Sequence, residues 1–291
     1  MLRSLKIGKL FGIPLYLHTT FFLLPVWMLL TNRGIGTVNA LFLLLGLTGV
    51  FSCVVLHELG HALMARFFGI GTESITLFPI GGVARLQRMS EKPFEEISIA
   101  VAGPAVNLVL FLLLSPLVLL GFQFGIGMDN TFYLPELGIG IAFARIVYSM
   151  WLANLGLLLF NLLPCFPMDG GRVLRATLSI WKGQLRATEI AARIGLVMAF
   201  FIACLSVPTR SPMPIVLALF VLFAGQVELL GLRQLEARRR AARPAEPLAL
   251  PLLGDKTSAT TPPFSGLAWD SRAQVWVKWH NGQPVGNWEV I

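Results

Sequence analysis

Residues 57–61 read His-Glu-Leu-Gly-His, an H-E-x-x-H pattern. On a helix, His57 and His61 stand one turn apart on the same face. Two imidazoles so placed can bind one Zn²⁺. Glu58 stands about 100° round the helix, beside such a metal rather than on it. A general base that takes a proton from an attacking water belongs there. The motif sits inside an apolar stretch, between LTGVFSCVVL and ALMARFFGI. A charged side chain at the middle of a membrane helix costs roughly 2.5–3.5 kcal/mol. Chance is the competing reading of any short pattern. Against it, two of the chain's four histidines fall inside this one.

Two imidazoles do not complete a catalytic zinc site, which takes three protein ligands and a water. The search for a third leads to NLLPCFPMDGGR at 161–172. Asp169 is a lone acid following an apolar run. Pro164 and Pro167 break the helix before it and let the chain turn inward. Gly170 and Gly171 allow close backbone approach. The alternative for Asp169 is a capping role at the start of a helix over 170–182. Cys53 stands one turn before His57, and Cys165 four residues before Asp169. Either thiolate can bind zinc, but both read more simply as small buried hydrophobes.

The elements that must hold these groups are membrane helices. Of 291 residues, 55% are hydrophobic and 13% charged, against about 25% charged in a soluble domain. That excludes an ordinary soluble enzyme, a disordered chain and a nucleic-acid-binding domain. Three cysteines without a C-x-x-C exclude a disulfide framework and a cysteine-rich zinc site. A spanning helix needs about 20 apolar residues, which predicts six spans: 14–31, 39–65, 97–121, 138–162, 188–207 and 213–232. The first carries Arg3, Lys6 and Lys9 ahead of it but lacks the cleavage site of a signal peptide.

The net charge of +8 is distributed unevenly. With the N-terminus inside, one side collects Arg3, Lys6, Lys9, Arg66, Arg85, Arg88, Lys92, Arg172, Arg175, Lys182, Arg186 and the arginines from 233 to 243. The other side gets little more than Arg33 and Arg210, with Arg145 just inside the fourth span. The rule that basic loops stay inside places both termini in the cytoplasm. His57, His61 and Asp169 then fall near the cytoplasmic ends of their segments, at similar depth.

Residues 70–93 are too polar to span. Ser74–Phe78 reads as extended and Gly81-Gly82 as a hairpin turn, giving a β-hairpin at the cytoplasmic face. The division expected is a membrane-embedded domain over 1–235 and a cytosolic linker with a small β-rich tail over 236–291. In that tail Asn281-Gly282 marks a turn between alternating stretches. Glu228 is expected to pair with Arg193 or Arg233. The expected fold is an all-α polytopic membrane protein of about six transmembrane helices, with the membrane-associated hairpin and the short tail.

HELGH at 57–61, NLLPCFPMDG at 161–170 and AGPAVN at 102–107 together resemble the site-2 protease family of intramembrane zinc metalloproteases. The resemblance covers about residues 10–232. It implies one Zn²⁺ per chain, held by His57, His61 and Asp169, with Glu58 as the base. It implies that Asn107 and Asn161 hold the substrate strand or the oxyanion, and that the hairpin with Gly81 and Gly82 pairs with unwound substrate. The implied reaction is peptide-bond hydrolysis within or near transmembrane segments. Its substrate would be a single-span membrane protein, such as an anti-sigma factor or a membrane-tethered regulator. The partners are that protein and the lipid bilayer, with no nucleic acid, and the simplest location is a bacterial inner membrane. The chain departs from many relatives in having no room for a PDZ insertion between spans and too short a tail for paired CBS domains. The rival readings are a divalent-metal transporter using the same residues and a proteolytically inactive scaffold. An intact H-E-x-x-H with Asp169 argues against the scaffold.

Overall fold

In the computed structural model, the described residues are 4–32, 36–88, 90, 92–123, 138–210, 213–241, 265–270 and 275–288. Among them, five helices are long and apolar enough to cross a bilayer. These are α2 (Gly36–Phe67), α3 (Pro93–Gln123), α4 (Gly138–Asn161), α6 (Gln184–Cys204) and α8 (Met213–Ala241). Shorter helices are α1 (Leu23–Thr31), α5 (Asp169–Lys182) and α7 (Ser206–Thr209). The chain divides into a unit of residues 1–232 and a second of residues 233–291.

The expected first span, 14–31, is not one helix. It is a strand, β2 (Ile13–His18), followed by a 3-10 turn over Thr19–Phe22 and the nine residues of α1. The apolar residues of β2 pack under the sheet, while α1 buries none of its own. Ile13 lies with Leu59, Ala62 and Ile75 in one cluster, and Leu15 and Leu17 pack on Phe51, Val54 and Leu77 in another. An apolar run of this length does not by periodicity separate a buried strand from a helix.

The expected hairpin is present, as half of a larger sheet. Strands β1 (Ser4–Leu10), β2, β3 (Thr72–Phe78) and β4 (Gly81–Leu86) lie in that order. β1–β2 and β3–β4 pair antiparallel, and β2–β3 parallel. The turn between β3 and β4 falls on Pro79-Ile80 rather than Gly81-Gly82. Phe78 pairs with Gly81, and both glycines belong to β4. β4 is an edge of this sheet, and it packs against α2.

Helices α2, α3 and α4 pack on one another. Small residues let the backbones approach, as at other membrane helix crossings. A Cβ at Gly60 of α2 would stand 2.8 Å from the Ala102 carbonyl oxygen of α3. After α4 the chain winds through 162–168, with a cis Phe166–Pro167 bond, and enters α5. Gly170 and Gly171 make that winding possible. A Cβ on Gly170 would lie 2.5 Å from the Leu162 and Leu163 oxygens, and one on Gly171 2.6 Å from the Cys165 oxygen. Cys165 and Met168 are buried with Ala199, Ala218 and Val221 of α6 and α8.

Glu228 of α8 finds a partner that the sequence did not suggest. Its carboxylate takes a hydrogen bond of 2.5 Å from Arg175 of α5, and the same guanidinium bonds Glu96 in the first turn of α3. Arg175 is buried, so its charge draws both carboxylates inward.

The second unit carries β5 (Gly266–Asp270), β6 (Val275–His280) and β7 (Gln283–Trp288), an antiparallel sheet in that order. Asn281-Gly282 forms the β6–β7 turn, both residues at positive φ, 50° and 76°. That is the conformation an Asn-Gly hairpin turn favours. Trp269 sits opposite Trp276, their rings 5.5 Å apart.

Candidate metal centre

His57 and His61 lie deep in the C-terminal half of α2 and face α3 and α5. Both are buried. Their rings stand nearly perpendicular, 86° apart, with centroids at 4.7 Å. Their Nε2 atoms approach to 3.1 Å. Asp169, the first residue of α5, completes a triangle. Its Oδ2 lies 3.3 Å from Nε2 of His57 and 3.1 Å from Nε2 of His61. Among the described residues this is the one cluster of three His, Cys, Asp or Glu side chains suited to a metal. The capping alternative for Asp169 is not what its side chain does. Met168 occupies the cap position, and the carboxylate turns to the imidazoles.

The triangle suits a tetrahedral ion. Ligand bonds of about 2.0–2.1 Å at tetrahedral angles place ligand atoms roughly 3.3 Å apart. The observed edges are 3.1, 3.1 and 3.3 Å. The proton placement agrees. Nδ1 of His61 lies 2.7 Å from the Ile99 carbonyl oxygen, which can only accept. That contact calls for a proton on Nδ1, and the neutral ring then turns the Nε2 lone pair toward the carboxylate. Asp169 Oδ2 is buried and receives no hydrogen bond. Two imidazole nitrogens and a carboxylate oxygen within 3.3 Å of one another, all on buried residues, are a donor set suited to a cation.

α3 shapes the other wall. Gly103 faces both imidazoles, and a Cβ there would overlap the His61 ring and stand 2.7 Å from Cε1 of His57. One turn on, the Asn107 amide reaches His57, its Nδ2 at 2.9 Å from Nδ1.

Glu58 stands apart from the triangle, as its helical position predicts. Its Oε2 accepts a 2.9 Å hydrogen bond from the backbone N–H of Ala84 on the edge strand β4. Its stem lies against Gly82, where a Cβ would come within 2.6 Å of Cγ. Gly82 thus makes room for Glu58, and Gly81 opens the strand at the turn. Asn161 closes α4, partly buried, and none of the hydrogen bonds around the triangle involves it. Cys53 and Cys165 are buried and outside the cluster.

The profile of peptidase family M50 matches residues 45–202, which contain both motifs. The chain belongs to peptidase family M50. A zinc metalloprotease of Methanocaldococcus jannaschii is 37% identical to it over 231 residues, 77% of this chain and 60% of that one. Stage IV sporulation protein FB of Bacillus subtilis is 26% identical over 193 residues, 66% of this chain and 57% of that one. The solved structure of a site-2 protease from Methanocaldococcus jannaschii is similar at a TM-score of 0.53. It is 34% identical, and the match covers 78% of this chain and 95% of that one. The chain spans about 60% of the length of these curated M50 relatives. The fold is thus that of a site-2 protease, as the paired motifs lead one to expect.

Sequence reasoning found the three triangle residues and Glu58 but missed four supports. The Ile99 carbonyl and the Ala84 N–H are backbone groups with no side-chain signal. Gly103 sits in the AGPAVN motif, four residues before Asn107, and that spacing was a legible hint of a shared face. Arg175 was counted only as a cytoplasmic charge.

Proposed function

We propose that this M50 member is an intramembrane zinc metalloprotease that hydrolyses peptide bonds within or beside transmembrane segments of single-span membrane proteins. The observation that carries the proposal is the His57, His61 and Asp169 triangle with Glu58 beside it. Zinc, when bound by those three residues, acidifies the attacking water and polarises the scissile carbonyl. Glu58 takes the water's proton and returns it to the leaving amine. The Ala84 hydrogen bond engages Oε2 and leaves Oε1 for that work. Binding at β4 suits the same reaction, because an extended segment can add to a free strand edge through main-chain hydrogen bonds. A substrate helix must unwind before its amides can be reached, and such an edge would hold it unwound.

The same reading sets the location. The unit to about residue 235 would lie in a bacterial inner membrane, with the active site, both termini and the tail from 236 facing the cytoplasm. Asn161 is proposed to contact the substrate backbone. Its place at the end of α4 leaves it clear of the triangle. Anti-sigma factors and membrane-tethered regulators fit as substrates, being single-span proteins with a cytoplasmic portion to release.

The test compares the detergent-purified chain with its Glu58→Gln variant. Zinc per chain and cleavage of a single-span test protein are measured for both. One zinc in each, with cleavage by the unaltered chain alone, is the expected result. Equal cleavage by both would remove Glu58 from the mechanism. Absence of zinc from the unaltered chain after metal supply would end the proposal.

A further inference from the structure

We propose that Asn107 is a positioning residue for His57, its amide oxygen accepting the Nδ1–H and so fixing the tautomer that offers Nε2 to a metal. The inference rests on the metal-site reading above and deepens it. His61 supplies the internal reference. Its Nδ1 faces the Ile99 carbonyl at 2.7 Å, which allows only one tautomer. His57 must adopt the same one if its Nε2, 3.1 Å from Nε2 of His61, is to share a cation.

The side chain that decides this is Asn107, the polar group that reaches Nδ1 of His57 among the described residues. It is fully buried. As drawn, its Nδ2 faces Nδ1 at 2.9 Å, while its Oδ1 is buried with no donor. That arrangement has the amide donating to Nδ1. The His57 proton would then sit on Nε2, pointing into the triangle and blocking it. A half-turn of the amide exchanges oxygen and nitrogen with no change of volume. It gives the amide oxygen a donor and frees Nε2, and it moves the amide nitrogen to the place where the oxygen had no partner. A metal-bound histidine commonly donates its second ring N–H to an oxygen in this way. Asn107 is thereby engaged within the protein. It is not a hydrogen-bond donor to substrate or oxyanion, the role that the family resemblance implied for it.

Two variants separate these roles. Asn107→Asp keeps the acceptor at almost the same volume and deletes the donor. Asn107→Leu keeps the volume and deletes both. Zinc affinity is measured by chelator competition on full-length protein, and the melting midpoint of the zinc-free form reports on folding. The positioning role predicts that Asn107→Leu weakens zinc binding about 10–100-fold, while Asn107→Asp binds at least as tightly as the unaltered chain. Unaltered affinity in the Leu variant would overturn the proposal. So would equal loss in both. If the Leu variant does not fold, the Asp variant decides alone, with tight binding supporting the acceptor role and loss refuting it. Failure of the unaltered chain to bind zinc would instead sink the underlying metal-site reading.

Discussion

A single methyl group at Gly103 is expected to disable the centre. The Cβ of an alanine would overlap the His61 ring, and the ring is pinned from its other side by the Ile99 carbonyl. The imidazole must then leave the triangle. Gly103→Ala should weaken zinc binding by more than about 100-fold, the upper end of what loss of an outer-shell partner does. Gly156→Ala on α4, where a Cβ meets nothing within 4 Å, is the control. Zinc stoichiometry by elemental analysis checks both. The contrast shows why this centre was partly legible in the chain. His57, Glu58 and His61 are related by helical geometry alone, so their spacing revealed them. Asp169 stood out as a lone acid beside helix-breaking prolines and small glycines. The role of Gly103 depends on α3 crossing α2, which no local pattern encodes. Nor did the sequence reveal that a strand N–H holds Glu58.

At the level of elements, α5 must be held still because it carries Asp169 on its first turn. Arg175, six residues later, does this by bonding Glu96 of α3 and Glu228 of α8, and its guanidinium also lies 5.5 Å from the Phe166 ring. Removing the shared cation leaves two carboxylates in a poorly hydrated site. Arg175→Met should therefore destabilise the protein by roughly 3–5 kcal/mol, the cost of breaking a buried pair on one side. Glu228 is 31% exposed, so Glu228→Gln should cost no more than about 1 kcal/mol. Thermal unfolding in detergent gives the order. Similar losses in both variants would mean that α8 is held mainly by Glu228. This triad was not legible because its members are 79 and 53 residues apart in sequence. The first apolar segment was misread for a different reason. Hydrophobicity reported that 14–31 is apolar but not whether a strand or a helix carries it. The five long helices were legible because length and apolar character leave no other fold for them.

Across the whole molecule, charge and helix count make opposing demands that one arrangement reconciles. Five crossing helices would put the two ends of the first unit on opposite sides of the bilayer. Yet the basic residues lie beside alternate helix ends. Arg66 closes α2, Lys92 precedes α3, and Arg172, Lys182 and Arg186 cluster where α4 gives way to α6. Arg210 stands at the opposite turn, between α7 and α8. Lys6 and Lys9 on β1 belong with the first group if the basic-inside rule holds. The sixth passage is then made by β2 and the helical residues to Thr31. Six strand residues at about 3.3 Å each and nine in α1 at about 1.5 Å each supply much of the needed length. A strand at that depth is tolerable because β1, β3 and α2 cover it. Labelling with a membrane-impermeant maleimide tests this in a chain stripped of its three native cysteines. Cysteines at Lys6 and Lys182 should react only after permeabilisation, and one at Arg210 in intact cells. Reaction at Lys6 without permeabilisation, on the same side as Arg210, would mean that β2 and α1 do not cross. The active site would then open on the cytoplasm with the N-terminus opposite it.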